Sequence, residues 1–202
     1  MDHEKTPGVT GVILVGGKSR RMGQDKALLK FEDRTLFEIT LAALREALDT
    51  VILIGDRPER FAAHGLPIYP DIYPGSALGG LYTGLVKATT SHVFVASCDL
   101  PFPSSVIIRH LSALAPGNDV VVVVTSAGYE PLFAVYSQEC REPIRRQIES
   151  GNYCVYDFYN EVTTRIVTGA EITHLADLER IFLNLNTPEE FRRVTQEGKT
   201  CP

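Results

Sequence analysis

The chain has 202 residues, 44% of them hydrophobic and 22% charged, with a formal net charge of −5. That length suits a single domain spanning 1–202 that buries its core without covalent staples. The acidic balance excludes a global basic field for nucleic acid, so an anionic substrate has to be met by local cations.

Residues 1–9 read as a polar tail, and 12–15 form a short apolar run of the kind a buried parallel strand shows. That run enters Gly16-Gly17-Lys18-Ser19-Arg20-Arg21-Met22-Gly23-Gln24-Asp25-Lys26, where glycines lie among four cations. Glycine lets main-chain N–H groups converge on phosphate oxygens while Lys and Arg supply counter-charge, a composition suited to polyphosphate. A Walker A loop is excluded, because Gly17-Lys18-Ser19 would need its first glycine at Val12 and Gly11 is one residue out of register. Gly16, Gly17 and Gly23 also miss the G-x-G-x-x-G spacing of a dinucleotide loop. The alternative at this point is a surface turn with solvated charges.

Further along, Thr35-Leu36-Phe37-Glu38 has capping-box form, and Phe37, Leu41, Leu44 and Leu48 follow at helical spacing. Residues 51–54 predict a strand, 65–80 a Gly/Pro-rich loop, 81–89 a helix and 92–97 a buried strand ending at Cys98-Asp99. Ser104 or Ser105 caps a helix reaching Ala115. Strands are expected at 120–124, 132–136 and 163–168, with a helix to about Ser150 that contains Pro143 and a closing helix at Thr187-Pro188. Alternating strands and helices predict a three-layer α/β/α domain with a mainly parallel sheet. Ligands of such sheets bind beyond the strands' carboxyl ends, and Gly16, Asp56, Asp71 and Asp99 are all expected there.

Cys98, Cys140, Cys154 and Cys201 form no Cys-x-x-Cys pair and have no histidine at metal-ligand spacing, so they read as reduced thiols of a cytoplasmic protein. Cys98 in particular reads as a small buried side chain. The five histidines do not cluster. Residues 1–10 are polar and lack the apolar run of a signal peptide, and no segment approaches the ~20 apolar residues of a membrane span, so neither export nor membrane anchoring is expected.

Leu14-x-Gly16-Gly17-x-Ser19-x-Arg21-Met22-Gly23-x-Asp25-Lys26 resembles the signature of the molybdenum cofactor guanylyltransferases. The resemblance continues through Asp71, Pro74-Gly75 and Leu78-Gly79-Gly80, then Cys98-Asp99-Leu100-Pro101-Phe102, then Glu130 to Tyr136, and finally Asn184-Leu185-Asn186-Thr187-Pro188-Glu189-Glu190. It implies a fold like the nucleotide-diphospho-sugar transferases, a Rossmann-like arrangement, and transfer of GMP from GTP to molybdopterin with release of pyrophosphate. It places Leu14, Val15, Gly16, Gly17, Lys26, Asp56, Asp71, Gly79 and Asp99 against the nucleotide. Arg21 and Lys26 would face the triphosphate, Asp99 would hold Mg²⁺, and Asn184 and Asn186 would bind molybdopterin. Lys18 and Arg20 fall at variable positions and are expected in solvent.

The resemblance also implies contacts with proteins that deliver molybdopterin or receive the finished cofactor. Two departures stand out: Asp56 where many members carry asparagine, and Ser76-Ala77 where the family has Gly-Pro. Glu130 to Tyr136 and the aromatics Tyr153, Tyr156, Phe158 and Tyr159 would line the pterin side, although aromatics so spaced are more often core. The rival functions are a molybdopterin cytidylyltransferase, another small-substrate nucleotidyltransferase, or a non-catalytic nucleotide- or cofactor-binding protein.

Overall fold

The computed structural model describes residues 5–15, 26–183 and 185. Its elements are β1 (Thr6–Leu14), β2 (Lys30–Phe31), β3 (Arg34–Thr35), α1 (Leu36–Ala47), β4 (Leu48–Ile54), β5 (Ile68–Tyr69), α2 (Ala77–Lys87), β6 (His92–Ser97) and α3 (Ser105–Ala113). There follow β7 (Val120–Thr125), β8 (Gly128–Tyr129), β9 (Phe133–Ser137), α4 (Arg141–Glu149), β10 (Thr164–Thr168), α5 (Gly169–Ile172) and α6 (Leu178–Ile181). The main sheet runs β10-β7-β9-β6-β1-β4-β5, with β8 added beside β7. Neighbours are parallel except β9, which is antiparallel to both β6 and β7, and the β7–β8 pair. The turn through β8 is too short for a parallel crossover, so β9 must return antiparallel.

Period-two alternation explains the three layers. Ile13, Phe94, Ala96, Val121, Val123, Phe133 and Val135 face one core with Phe37, Leu41 and Leu44 of α1 and Ile107, Ile108 and Leu111 of α3. Their strand neighbours Val12, Val93, Val95, Val120, Val122, Ala134 and Tyr136 face the other core, with Leu78, Leu81 and Leu85 of α2 and Ile144 and Ile148 of α4. Each strand is therefore apolar on both faces, which is why it reads in sequence as a continuous run.

Several expected boundaries move. The segment expected as a tail contributes Thr6 to Val9 to β1, hidden in sequence by the exposed Pro7 and Gly8, where the register with β4 shifts. The capping box at Thr35 and Glu38 forms as predicted, but Leu48 leaves the helix and opens β4 in an extended conformation. Pro143 lies in the first turn of α4, where a missing N–H removes no helical bond. The largest correction is α2, which begins at Ala77 inside the predicted loop, with the Ser76 hydroxyl accepting from the Gly79 N–H at 3.0 Å. Gly79, Gly80 and Gly84 lower helix propensity, yet packing demands them. A Cβ on Gly84 would lie 2.8 Å from Cγ1 of Val12, and one on Gly80 would lie 3.0 Å from Cδ2 of Leu14. The closing helix expected at Pro188 lies outside the described residues.

Candidate active site

Leu14 pairs with both Ile54 and Ser97, and Ile54 pairs with Tyr69, so four parallel strands end in one row. Asp56, Asp71 and Asp99 each follow that row by two residues, on β4, β5 and β6 respectively. The sheet's register alone thus brings three aspartates from distant parts of the chain to one edge. The ladder continues one residue past the row, with the Val15 N–H donating to Ile54 at 2.9 Å and the Gly55 N–H to Tyr69 at 3.0 Å. Between these ends opens a cleft of about 320 Å³ lined by Leu14, Val15, Lys26, Asp56, Asp71, Gly75, Ser76, Ala77, Gly80, Ser97, Cys98, Asp99 and Leu132, among others. Among the described residues, Lys26 is the one cation on its wall.

Asp71 is held from two sides. Its Oδ1 accepts from the Tyr73 N–H at 3.1 Å and from the Thr83 hydroxyl at 2.9 Å. Thr83, fully buried on α2, also accepts from the Ile72 N–H and lies within hydrogen-bond reach of the Gly79 carbonyl, both at 2.9 Å. Burial raises the Asp71 pKa above its ordinary value, the bonds from Thr83 and Tyr73 oppose that rise, and the nearby Asp56 charge adds to it. Gly79 does not line the cleft, in contrast to the sequence expectation. Its place is under the loop carrying Asp71, where a Cβ would lie 1.9 Å from the Tyr73 carbonyl oxygen.

Asp99 sits one turn beyond β6. The Ser97 hydroxyl donates to its Oδ1, and among the described residues Oδ2 takes no hydrogen bond. Capping of α3 falls to Ser104, whose hydroxyl accepts from the Ile107 N–H at 3.4 Å, so Asp99 is not spent on the helix. The Leu185 N–H donates to the Asp99 carbonyl at 3.0 Å, which holds Leu185 against this turn. A second pocket of about 170 Å³ shares Ser97, Asp99 and Leu132 with the cleft and adds Leu100, Glu130, Pro131 and Phe133. Burial also raises the Glu130 pKa, a hydrogen bond from Thr125 opposes that, and the Asp99 charge reinforces it.

Of the residues expected at the site, Leu14, Val15, Lys26, Asp56, Asp71 and Asp99 meet in the cleft. Gly16, Gly17, Arg21, Asn184 and Asn186 lie outside the described residues, as do Lys18 and Arg20. Phe158 and Tyr159 are core, whereas Tyr153 and Tyr156 are exposed, and none of the four lines either pocket. Cys98 is buried as expected. Ser97 and Thr83 were not legible as site residues, because neither belongs to a quoted motif and each acts only by positioning an aspartate. No helix of the described residues is long and apolar enough to cross a membrane.

A mostly parallel sheet whose strand ends bring three aspartates and Lys26 to an open cleft has the architecture of a nucleotidyltransferase-type α/β protein. The chain belongs to the family of the MobA-like NTP transferase domain, whose model matches residues 11–163. It is 36% identical over 90% of its length, and 89% of the relative's, to a probable molybdenum cofactor guanylyltransferase from Pelotomaculum thermopropionicum. It is 32% identical to another, from Peptoclostridium acidaminophilum, covering 94% and 91% of the two chains. The crystal structure of molybdopterin-guanine dinucleotide biosynthesis protein A from Archaeoglobus fulgidus superposes with a TM-score of 0.83, at 20% identity over 95% of this chain and all of that one.

Proposed function

We propose that the protein is a molybdenum cofactor guanylyltransferase that transfers GMP from GTP to the terminal phosphate of molybdopterin and releases pyrophosphate. The observation that carries this reading is the junction of two pockets at Asp99, one carrying Lys26 and one sharing the Ser97-Asp99 turn. A reaction that joins two substrates through phosphates calls for two neighbouring subsites with the reacting groups at their shared wall. The names of the two sequence relatives support the choice of guanine nucleotide and molybdenum cofactor.

In this reading an oxygen of the acceptor phosphate attacks the α-phosphorus of GTP, the bond to the β-phosphate oxygen breaks, and pyrophosphate departs with the electron pair. The protein's task is in-line positioning and neutralisation of charge. Leu14 and Val15 support the nucleoside, and Asp56 and Asp71 accept hydrogen bonds from it. Lys26, with Gly16, Gly17 and Arg21, holds the triphosphate and then the pyrophosphate. Asn184 and Asn186 bind molybdopterin, a role supported by the bond from Leu185 between them to the Asp99 turn.

The donor set fits Mg²⁺. Asp99 offers a hard carboxylate oxygen at the pocket junction, and among the described residues no three His, Cys, Asp or Glu side chains form a dedicated cage. Mg²⁺ commonly binds in this way, through one or two carboxylates with phosphates and water. Asp99 would hold the ion, which when bound supplies Lewis-acid charge neutralisation. We further propose one domain over 1–202, a cytoplasmic setting, and transient contacts with molybdopterin-delivering proteins and molybdoenzymes.

The test is a calorimetric panel of GTP, CTP and ATP with and without Mg²⁺. Tightest binding of GTP supports the proposal, and tighter binding of CTP identifies a cytidylyltransferase instead.

A further inference from the structure

The second pocket differs from the cleft in a way that selects a kind of ligand. Asp99 and Glu130 are both on its wall, and among the described residues no Lys or Arg joins them. Its remaining walls are largely apolar, from Leu100, Pro131, Leu132 and Phe133. A phosphate placed deep in this pocket would lie against the Glu130 carboxylate with no cation of the described residues beside it, so the part of the acceptor that enters it must be uncharged. It must also bring N–H groups, since a half-buried carboxylate costs free energy unless it accepts hydrogen bonds.

Glu130 is prepared for that contact. The Thr125 hydroxyl, at the end of β7, donates to its Oε1 at 3.2 Å. Among the described residues, Oε2 has no donor. Its backbone is pinned as well, with the Glu130 N–H donating to Val123 at 2.9 Å and the Phe133 N–H to the Glu130 carbonyl at 3.1 Å. Behind it, the Tyr136 hydroxyl donates to the Pro131 carbonyl at 2.6 Å, and the Tyr159 hydroxyl lies 2.7 Å from that of Tyr136. A carboxylate fixed this firmly is suited to reading a planar edge that presents two adjacent N–H donors.

We propose that this pocket takes the fused, uncharged ring system of the acceptor and that Glu130 reads its 2-amino and ring N–H edge, making Glu130 a specificity-determining residue. The inference rests on the guanylyltransferase reading for its acceptor but not for its chemistry, which follows from the pocket's walls. In the same arrangement the acceptor phosphate points out of the pocket toward Asp99 and Lys26.

The test uses the full chain and a fluorescent probe, 6-hydroxymethylpterin, against the corresponding lumazine, in which an oxo group replaces the 2-amino group. Loss of a hydrogen bond to a charged group typically weakens binding about tenfold or more, so the native protein should prefer the pterin by at least that factor. Glu130→Gln should reduce the preference to about threefold or less while GTP titrates as in the native protein. Equal binding of both probes to the native protein overturns the proposal without any variant. So does a Glu130→Gln protein that keeps the preference, or one that loses affinity for GTP, which would assign Glu130 to the guanine. If the native protein prefers the pterin but does not bind GTP, the guanylyltransferase reading fails and the pocket assignment stands.

Discussion

Replacing Gly79 by alanine separates two expectations of opposite sign. In an unconstrained helix the change would gain about 1 kcal/mol, because alanine has the higher propensity. In α2 the added Cβ would lie 1.9 Å from the Tyr73 carbonyl oxygen and 2.9 Å from its carbonyl carbon. Ordinary carbon–oxygen contacts are about 3.3 Å or more, so the two segments must separate by roughly 1.4 Å. Backbone is on both sides, and no side-chain rotation can absorb the shift. The 71–75 loop is tied to α2 through the Ile72–Thr83 and Asp71–Thr83 bonds, and the displacement therefore reaches Asp71. Overpacking of this kind costs about 1–3 kcal/mol beyond the propensity gain. We expect a fall in the midpoint of thermal unfolding of about 2–12 °C for a chain of this size, with weaker GTP binding by calorimetry. Gly80→Ala is the control, since its Cβ meets the flexible Leu14 Cδ2 at 3.0 Å and should be milder. A Gly79→Ala protein as stable as the native one, with unchanged GTP affinity, would refute the reasoning.

Thr83→Val removes the hydroxyl shared by Asp71 and the Ile72 N–H, so urea titration should show a loss of about 1–3 kcal/mol and calorimetry a weaker nucleotide affinity, both restored by Thr83→Ser. Glu38 is held below the ordinary carboxylate range chiefly by the Thr35 N–H, with the Thr35 hydroxyl assisting. Because its folded pKa is the lower one, the stabilisation is present above the ordinary value of 4.5 and is lost as pH falls below it. Glu38→Gln, whose amide can still complete the box, should therefore cost about 0.3–1 kcal/mol at neutral pH through the lost charge, a difference that shrinks on acidification in denaturant titrations. A pH-independent difference would count against the capping-box account.

Much of the fold is visible in the sequence because its strands are buried on both faces and stand out as apolar runs, as at Val12 to Leu14 and His92 to Ser97. The start of α2 is not visible, since Gly79, Gly80 and Gly84 weaken the helical signal for reasons of packing against Tyr73, Leu14 and Val12 that only the assembled sheet reveals. The antiparallel β9 is likewise a product of the β8 turn rather than of its own residues. Strand-end aspartates could be picked out one by one, and the register of β1, β4, β5 and β6 is what makes them neighbours. Ser97 and Thr83 could not be found in this way, because a hydroxyl that positions a carboxylate leaves no spacing of its own.

The most direct test of the central claim is pyrophosphate release from GTP with molybdopterin and Mg²⁺, compared between the native protein and Asp99→Ala. The account predicts release that requires both substrates and falls by about a hundredfold or more in the variant, the scale of losing a positioned metal, while thermal unfolding changes little. Equal release from the two proteins would contradict it.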